Sequence, residues 1–349
     1  MIFSLFKKRG IGIDIGSRSI KIVELSRFGK KTKLENYVEV KGNWETPFSI
    51  SKIKEKKNSF HQLANVIKKV LAQANIKTKK AVCTLPDFST LFTWFELPPM
   101  KQEEIPGAVK HEARRHIPFP LDEVTLDWQV IEGQEKKGKI KILLVVVPNE
   151  LINSYLEIAK MAQIHLYAIE AEVFAFARTL PQKDVKTLAL IDIGFESTTC
   201  SILENGVLKR SYSFDISGDK ITKSVANFLK INYNEAEKLK KEYGILEKKG
   251  KPEIRKPILF CVQKILEETK KVMDEFHQTE LKPVQKVVLS GGGALLPGLK
   301  DYLRTNLEKE VEVINPFSNL IYPEILKDKI GKMGPFFTIA VGASLRALI

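Results

Sequence analysis

Four residues in the stretch IGIDIGSRSIK have the chemistry to handle a phosphate: Asp14, Gly16, Ser17 and Lys21. An apolar strand that ends in Asp and turns through Gly and Ser exposes backbone N–H groups in a concave turn, and such nests bind phosphate oxygens. Gly16 lets the backbone approach closely. Ser17 adds a hydroxyl donor, and Lys21 returns a positive charge to the same place. Asp14 could then hold Mg²⁺ through water, because Mg²⁺ keeps most of its hydration shell. A lone turn of this kind also has a plainer explanation, an aspartate capping the end of a strand. The phrase returns, however, as LALIDIGFESTT, with Asp192 and Gly194 in the places of Asp14 and Gly16. A third stretch, SGGGALLPGL, follows an apolar strand and precedes a helix. Its Gly291, Gly292 and Gly293 remove every side chain where a flat base and a ribose could lie. Two phosphate hairpins and one glycine loop, in that order, fit a nucleotide held between two similar halves.

Other motifs carry less. No G-x-x-x-x-G-K-[ST] occurs, and Gly10, Gly12 and Gly16 do not space as G-x-G-x-x-G. In HEARRH, His111 and His116 are five apart, which breaks the i, i+4 geometry of two zinc ligands on one helix face. Cys83, Cys200 and Cys261 are odd in number and far apart, so buried thiols in a reducing compartment are expected rather than disulfides.

The elements that must position these residues follow from periodicity. Residues 10–15 and 19–26 alternate as a hairpin, 33–41 as a third strand, and 80–85 as a strand ended by Pro86. Residues 59–74 carry a helical stripe with Ser59 as candidate N-cap. A helix is expected over 101–116 with acidic residues in its first turn, stopped by Pro118 and Pro120. Two strands and a closing helix follow to residue 162, then strand HLYAIE and helix AEVFAFARTL. The second half repeats the hairpin, with Asn205–Gly206 as a turn pair, then runs helical over 218–285 with a loop at 246–257. A buried helix closes the chain at FFTIAVGASLRALI.

Lys and Arg exceed Asp and Glu by 56 − 42 = 14. The excess lies in short lysine-rich segments at 52–57, 77–80, 135–141 and 248–256 with no interleaved aromatic platform, which argues against nucleic acid. No apolar run reaches the ~18–20 residues that span a bilayer. Phe3, Leu5 and Phe6 beside Lys7, Lys8 and Arg9 could touch a membrane surface, but so short a stub buries little area.

The order DIGSRSIK, DIGFEST, SGGGALLPGL resembles the actin/Hsp70/sugar-kinase ATPase superfamily across the whole chain. Within it, HEARRHIPFPLDEVTLDWQV, the opening FKKRGIGIDIGSRSIKIVEL and the closing IAVGASLRAL resemble the PilM family of type IV pilus assembly proteins, in the FtsA-like branch. The resemblance implies an α/β fold of duplicated actin-like (ribonuclease H-like) domains with an FtsA/PilM-type inserted subdomain. Residues 1–85 plus 163–186 would be the first domain, 86–162 the insert, 187–217 plus 286–349 the second domain, and 218–285 its helical subdomain. Asp14, Gly16, Ser17 and Lys21 match the first phosphate motif, Asp192 and Gly194 the second, and Gly291, Gly292 and Gly293 the adenosine motif. Glu170 falls where such ATPases place a water-positioning side chain, and Glu237 and Lys240 match positions that flank the base. The implied cofactors are ATP and Mg²⁺, the latter held by Asp14 and Asp192 through water, with Glu170 and Asp192 as catalytic candidates. Phe195 stands where actin has a further acidic residue. General-base catalysis needs a placed acceptor, so tight ATP binding with turnover no faster than ~1 s⁻¹ is expected.

The implied partner is the N-terminal cytoplasmic peptide of PilN, gripped between the first domain and the insert. Through it the protein would meet the inner-membrane alignment complex and, indirectly, the pilus motor ATPases. The expected location is cytoplasmic and peripheral to the membrane, with homo-oligomers left open. An FtsA-like filament protein would need an amphipathic anchor on a linker, whereas this chain stops at SLRALI. A sugar-kinase-type phosphotransferase would need a catalytic Asp in a substrate loop; Asp87 and Asp127 are available, without a sugar-binding polar cluster.

Overall fold

Period-two alternation and helical apolar stripes place the elements in two matching series. The computed structural model describes residues 8–42, 57–134, 137–181, 186–247 and 252–349. The first series is β1 (Lys8–Ile15), β2 (Ser19–Phe28), β3 (Lys31–Lys41), α1 (Lys57–Gln73), β4 (Lys80–Leu85), β5 (Leu91–Leu97), α2 (Ile105–His116), β6 (Val124–Gln134), β7 (Lys137–Pro148), α3 (Asn149–Met161), β8 (His165–Ala171) and α4 (Glu172–Thr179). The second is β9 (Thr187–Ile193), β10 (Thr198–Glu204), β11 (Val207–Phe214), α5 (Gly218–Leu229), α6 (Tyr233–Tyr243), α7 (Pro252–Glu280), β12 (Lys286–Ser290), α8 (Leu299–Leu307), β13 (Glu310–Val313), α9 (Lys327–Met333) and α10 (Thr338–Ala347).

The two five-stranded sheets share one topology. Their orders are β3-β2-β1-β4-β8 and β11-β10-β9-β12-β13. In each, the first three strands of the series pair antiparallel and two more add in parallel. Asp14 and Asp192 therefore take equivalent places, one residue from the ends of β1 and β9. Asn205 and Gly206 turn the β10–β11 hairpin with positive φ, 50° and 79°, as an Asn-Gly pair favours.

Each sheet has a helical outer layer. Ile11, Ile13 and Ile15 pack with Leu63, Ile67, Tyr155 and Ile158 of α1 and α3, while Ile191, Ile193 and Ile202 pack with α5, α7 and α8. Between the sheets run α4 and α10. Helix α10 lies so close to β1 that a Cβ on Gly12 would fall 2.1 Å from the Ala340 carbonyl oxygen, which accounts for a glycine in mid-strand. The smaller sheet, β5-β7-β6, encloses its own core against α2 with Phe95, Val109, Ile142 and Leu144. Its other face meets α4 and the second sheet through Leu143, Phe176, Leu190 and Leu208. Trp94 donates its indole N–H to the Leu208 carbonyl at 3.1 Å. Lys209 of β11 pairs with Glu132 of β6 and Glu204 of β10, and Lys141 of β7 pairs with Glu132 and with Glu280 at 3.1 Å.

Several expectations need correcting. Helix α3, expected to close the unit over 86–162, packs beside α1 on the first sheet because Leu151, Tyr155 and Ile158 belong to that core. The C-terminal segment, expected with the second half, covers the first sheet: Phe317, Ile330, Phe337 and Val341 pack on Val23 and Leu25. Helix α1 is already helical at Lys57, which leaves Ser59 inside it rather than at its cap. Helix α2 begins at Ile105 with Pro106 in its first turn, and the acidic Glu103 and Glu104 fall before it. Strand β13 and helix α9 were not foreseen; both are short. The three cysteines are buried and unpaired. The apolar stub at Phe3, Leu5 and Phe6 and much of the lysine-rich segments at 52–57 and 248–256 lie outside the described residues.

Glu170 has a structural role that the sequence did not show. It is 5% exposed and lies on the α10 side of β8. Arg178 of α4 donates to both of its oxygens at 2.7 and 2.8 Å, and Arg346 of α10 donates to Oε2 at 2.7 Å. Arg178 also reaches the Gly342 carbonyl at 2.9 Å. These bonds on both carboxylate oxygens tie the two crossing helices to the first sheet and give Glu170 a structural role. Replacing Glu170 with Ala leaves two arginines without their acceptor. We expect a loss of about 2–3 kcal/mol, below the ~3–5 typical of a fully buried pair because the arginines are partly solvated. Urea unfolding that returns the wild-type midpoint would remove the clamp.

Candidate functional site

The two Asp-Gly hairpins close with the same hydrogen bond. Gly16 N–H donates to the Ser19 carbonyl at 3.1 Å, and Gly194 N–H donates to the Ser197 carbonyl at 2.9 Å. Asp14 faces Lys21 across the β1–β2 pair, and Lys21 Nζ donates to Asp14 Oδ2 at 2.9 Å. Burial works against the charge on Lys21, but the Asp14 carboxylate, with Glu39 and Asp192 adding to it, holds its pKa above the usual lysine value. The charge of Asp192 acts on Lys21 and that of Asp14 on Asp192, so the two turns lie near one another.

Asp192 has the unsatisfied atom of the site: its Oδ1 is buried without a hydrogen-bond partner. Burial pushes its carboxyl up to about 6, the nearby Ser290 side chain opposes that, and the charge of Asp14 adds to it. Gly291, at φ 79°, passes directly behind: a Cβ there would fall 2.5 Å from the Ile193 carbonyl oxygen and 3.0 Å from Asp192 Oδ1. The first residue of the glycine loop is therefore a glycine for two reasons, its backbone conformation and this close approach. Gly291 N–H donates to the Pro335 carbonyl at 3.1 Å, and Gly292 and Gly293 open a short turn of 3₁₀ helix.

Two acids that sequence reasoning did not assign to this site complete it. Asp87 follows the end of β4, and Glu172 opens α4. Asp87 Oδ1 accepts the Val173 N–H at 3.1 Å, capping the helix start, and Glu172 Oε2 accepts the Asp87 N–H at 3.4 Å. Burial drives the Asp87 carboxyl up to about 7, with the charge of Asp192 adding; Glu172 is pushed well above the carboxylate range by burial and by Asp87, Asp14 and Asp192. Asp87 had been considered only as a kinase-type acid. Asp127, its companion there, is exposed on β6 and accepts the neighbouring Trp128 N–H, away from this cluster. The signal for Asp87 and Glu172 was available: an acid just past the end of a parallel strand, where ligands of open α/β sheets gather.

Glu237 and Lys240 lie on α6. Lys240 Nζ pairs with Glu237 and donates to the Thr222 hydroxyl at 2.7 Å and the Gly218 carbonyl at 2.9 Å. Burial alone would raise Glu237, but hydrogen bonds from Lys240, Lys241 and Thr222 bring it down to about 2. The start of α5 is bound in turn to the second hairpin, since Gly218 N–H donates to the Gly194 carbonyl at 2.9 Å and Asp219 N–H to that of Phe195 at 3.1 Å. The end of α6 is bound to the loop beyond the glycines through Ile245 N–H to the Pro297 carbonyl at 2.9 Å. The carboxyl groups of Asp14, Asp87, Glu172 and Asp192 act on one another's charge, and Asp192 Oδ1 lies orphaned among them.

The family described as type IV pilus assembly protein PilM matches residues 12–348. Cell division protein FtsA of Enterococcus faecalis is 28% identical over 193 residues, 48% of this chain and 43% of that protein. The alignment thus spans about half the length of the curated relatives the chain matches. Among solved structures, a PilM-PilN type IV pilus biogenesis complex superposes with a TM-score of 0.84 at 24% identity, covering 97% of this chain and 98% of that one. MreB5 of Spiroplasma citri bound to AMPPNP gives 0.53 at 12% identity, covering 97% and 95%. The fold is actin-like, and the chain belongs to the PilM family of type IV pilus assembly proteins, on the FtsA-like branch.

Proposed function

We propose that this chain binds ATP with Mg²⁺ between its two halves and serves as a cytoplasmic scaffold of the type IV pilus machine, gripping the N-terminal cytoplasmic peptide of an inner-membrane PilN. The observation that carries the nucleotide part is the convergence of the two glycine turns on a carboxylate cluster whose Asp192 Oδ1 has no partner. A relative of the same fold, MreB5, is known bound to AMPPNP, and the PilM of similar structure stands in a complex with PilN.

In this reading the turns at Gly16, Ser17 and Gly194, held in shape by the closing Gly16 and Gly194 N–H bonds, and the ammonium of Lys21 take the phosphates. Asp14 and Asp192 hold Mg²⁺ through water, and the ion would neutralise phosphate charge there. Gly291, Gly292 and Gly293 bring the loop backbone close against Ile193 and Phe336, and the ribose and base would lie beside that backbone, with Glu237 and Lys240 at the flank. Asp192 remains the candidate acceptor for a proton from water, while Glu172, pushed well above the carboxylate range, would hold its own proton. In this reading α3 goes with the first domain, and the C-terminal segment bridges both. The peptide is expected between the first sheet and the β5-β7-β6 unit. Among the described residues no helix is long and apolar enough to cross a membrane, so attachment through the partner accounts for work at the inner face.

Protein purified without added nucleotide and then denatured is expected to release ATP in near-stoichiometric amount, and Asp192→Ala to release none. A wild type that takes up no ATP–Mg²⁺ on titration would refute the nucleotide reading. ATP and the peptide must then affect each other's affinity by the same factor. Calorimetric titrations of the PilN peptide that give one affinity with and without ATP would leave ATP as a structural ligand and remove the switch.

Asp87 and Asp192 also predict a pH dependence. Their folded pKa values, about 7 and about 6, lie above the ordinary carboxylate value, so between roughly pH 4 and 7 the folded protein binds more protons than the unfolded chain. Their contribution is therefore lost as pH rises through that window. Without nucleotide or metal, Tm is expected to be lower at pH 8 than at pH 5.5, and Asp87→Asn to reduce the difference. An unchanged slope in Asp87→Asn would rule out this source.

A further inference from the structure

The two hairpins differ at their tips. The first reads Gly16-Ser17-Arg18 and the second Gly194-Phe195-Glu196. A phenylalanine thus replaces the hydroxyl donor of the first turn, and the structure gives it a use. The Arg18 guanidinium carbon lies 5.4 Å from the centre of the Phe195 ring and 5.9 Å from that of Tyr233 at the start of α6. Both rings hang from one point. The Phe195 carbonyl accepts the Asp219 N–H at 3.1 Å, and the Tyr233 hydroxyl donates to Asp219 Oδ1 at 2.9 Å. Phe195 and Tyr233 therefore form a fixed aromatic seat on the second half. Arg18 reaches it from the first half, out of a hairpin steadied by Gly42 N–H on the Arg18 carbonyl at 3.2 Å. Among the described residues no carboxylate lies within ion-pairing distance of Arg18, so the rings are its partners.

We propose that Arg18 is a clasp across the mouth of the cleft, and that its contact with Phe195 and Tyr233 sets how fast a bound nucleoside triphosphate leaves. The ligand in this statement rests on the nucleotide reading above; the contact does not. The crossing helices α4 and α10 join the halves at the base of the cleft, so opening must separate the hairpin tips. Arg18 resists that separation. A guanidinium stacks on π faces over a range of small displacements, whereas an ion pair in the same place would compete with phosphate for the arginine.

The test uses the full chain with Arg18→Ala, Arg18→Lys, Phe195→Leu and the Arg18→Ala/Phe195→Leu double variant. Amide hydrogen exchange without nucleotide reads the contact itself, and stopped-flow release of a fluorescent ATP analogue reads its consequence. We expect Arg18→Ala and Phe195→Leu each to speed exchange over residues 194–198 and to speed release by about 3- to 10-fold, the range of a partly exposed cation–π contact. Arg18→Lys should fall between, and the double variant should add nothing to the larger single effect, because both remove one interaction. Wild-type release from Arg18→Ala overturns the clasp while leaving the nucleotide site in place, and so do effects that multiply in the double variant. A wild type that binds none of the analogue overturns the nucleotide reading and the release role together, whatever exchange shows.

Discussion

The structure depends on a close crossing of helices between two sheets. Helix α10, the last element of the chain, lies against β1, the first, and against α4. The approach is possible only because Gly12 and Gly342 present no side chain: a Cβ on Gly342 would fall 1.9 Å from the Ala175 carbonyl oxygen. Glu170 then fastens the crossing by drawing one arginine from each helix. Atoms packed this tightly join the two halves at this crossing. The cleft opens at the ends of β1 and β9 because the halves are pinned at their shared base.

The cleft itself is electrostatically unfinished. Asp14, Asp87, Glu172 and Asp192 converge, and Lys21 is the cation whose interactions link Asp14 and Asp192. Buried carboxylates without enough positive charge respond by holding protons, and Asp87, Glu172 and Asp192 all shift upward. A second acidic cluster shows the contrast. Glu132, Glu204 and Glu280 are close enough to share a metal ion, yet Lys209, Lys141 and Lys282 already pair with them. That cluster is a structural joint with its charge balanced. The cleft lacks such balance, and its imbalance is what a cation and phosphates would use together.

The same lysine-glutamate joint explains how the small sheet is carried. By sequence it interrupts the first half, and its core with α2 is its own. Its second face, however, meets the second sheet through apolar contacts, the Trp94–Leu208 hydrogen bond and the Lys209–Glu132 pair. The unit therefore touches both halves, and a change in their relation is transmitted to it through packed contacts.

Sequence determined what local chemistry can determine. The repeated apolar-Asp-Gly phrase marked both tight turns and the duplication, and local pattern marked the glycine loop and most strands and helices, since each depends on residues close in the chain. The family was legible from the order of these motifs. Tertiary structure decided the rest. Glu170 and Glu172 are two residues apart, on a strand and at the start of a helix, and sequence alone could not say which one an arginine pair would claim. The arginines come from positions 178 and 346, and only packing of the chain's end on its beginning brings them together. Asp87 joined the site for the same reason, because the cleft is made where separate strands end. The use of Phe195 likewise required knowing that Arg18 lies across from it, since a ring at a turn has no meaning until a cation from the other half is placed over it.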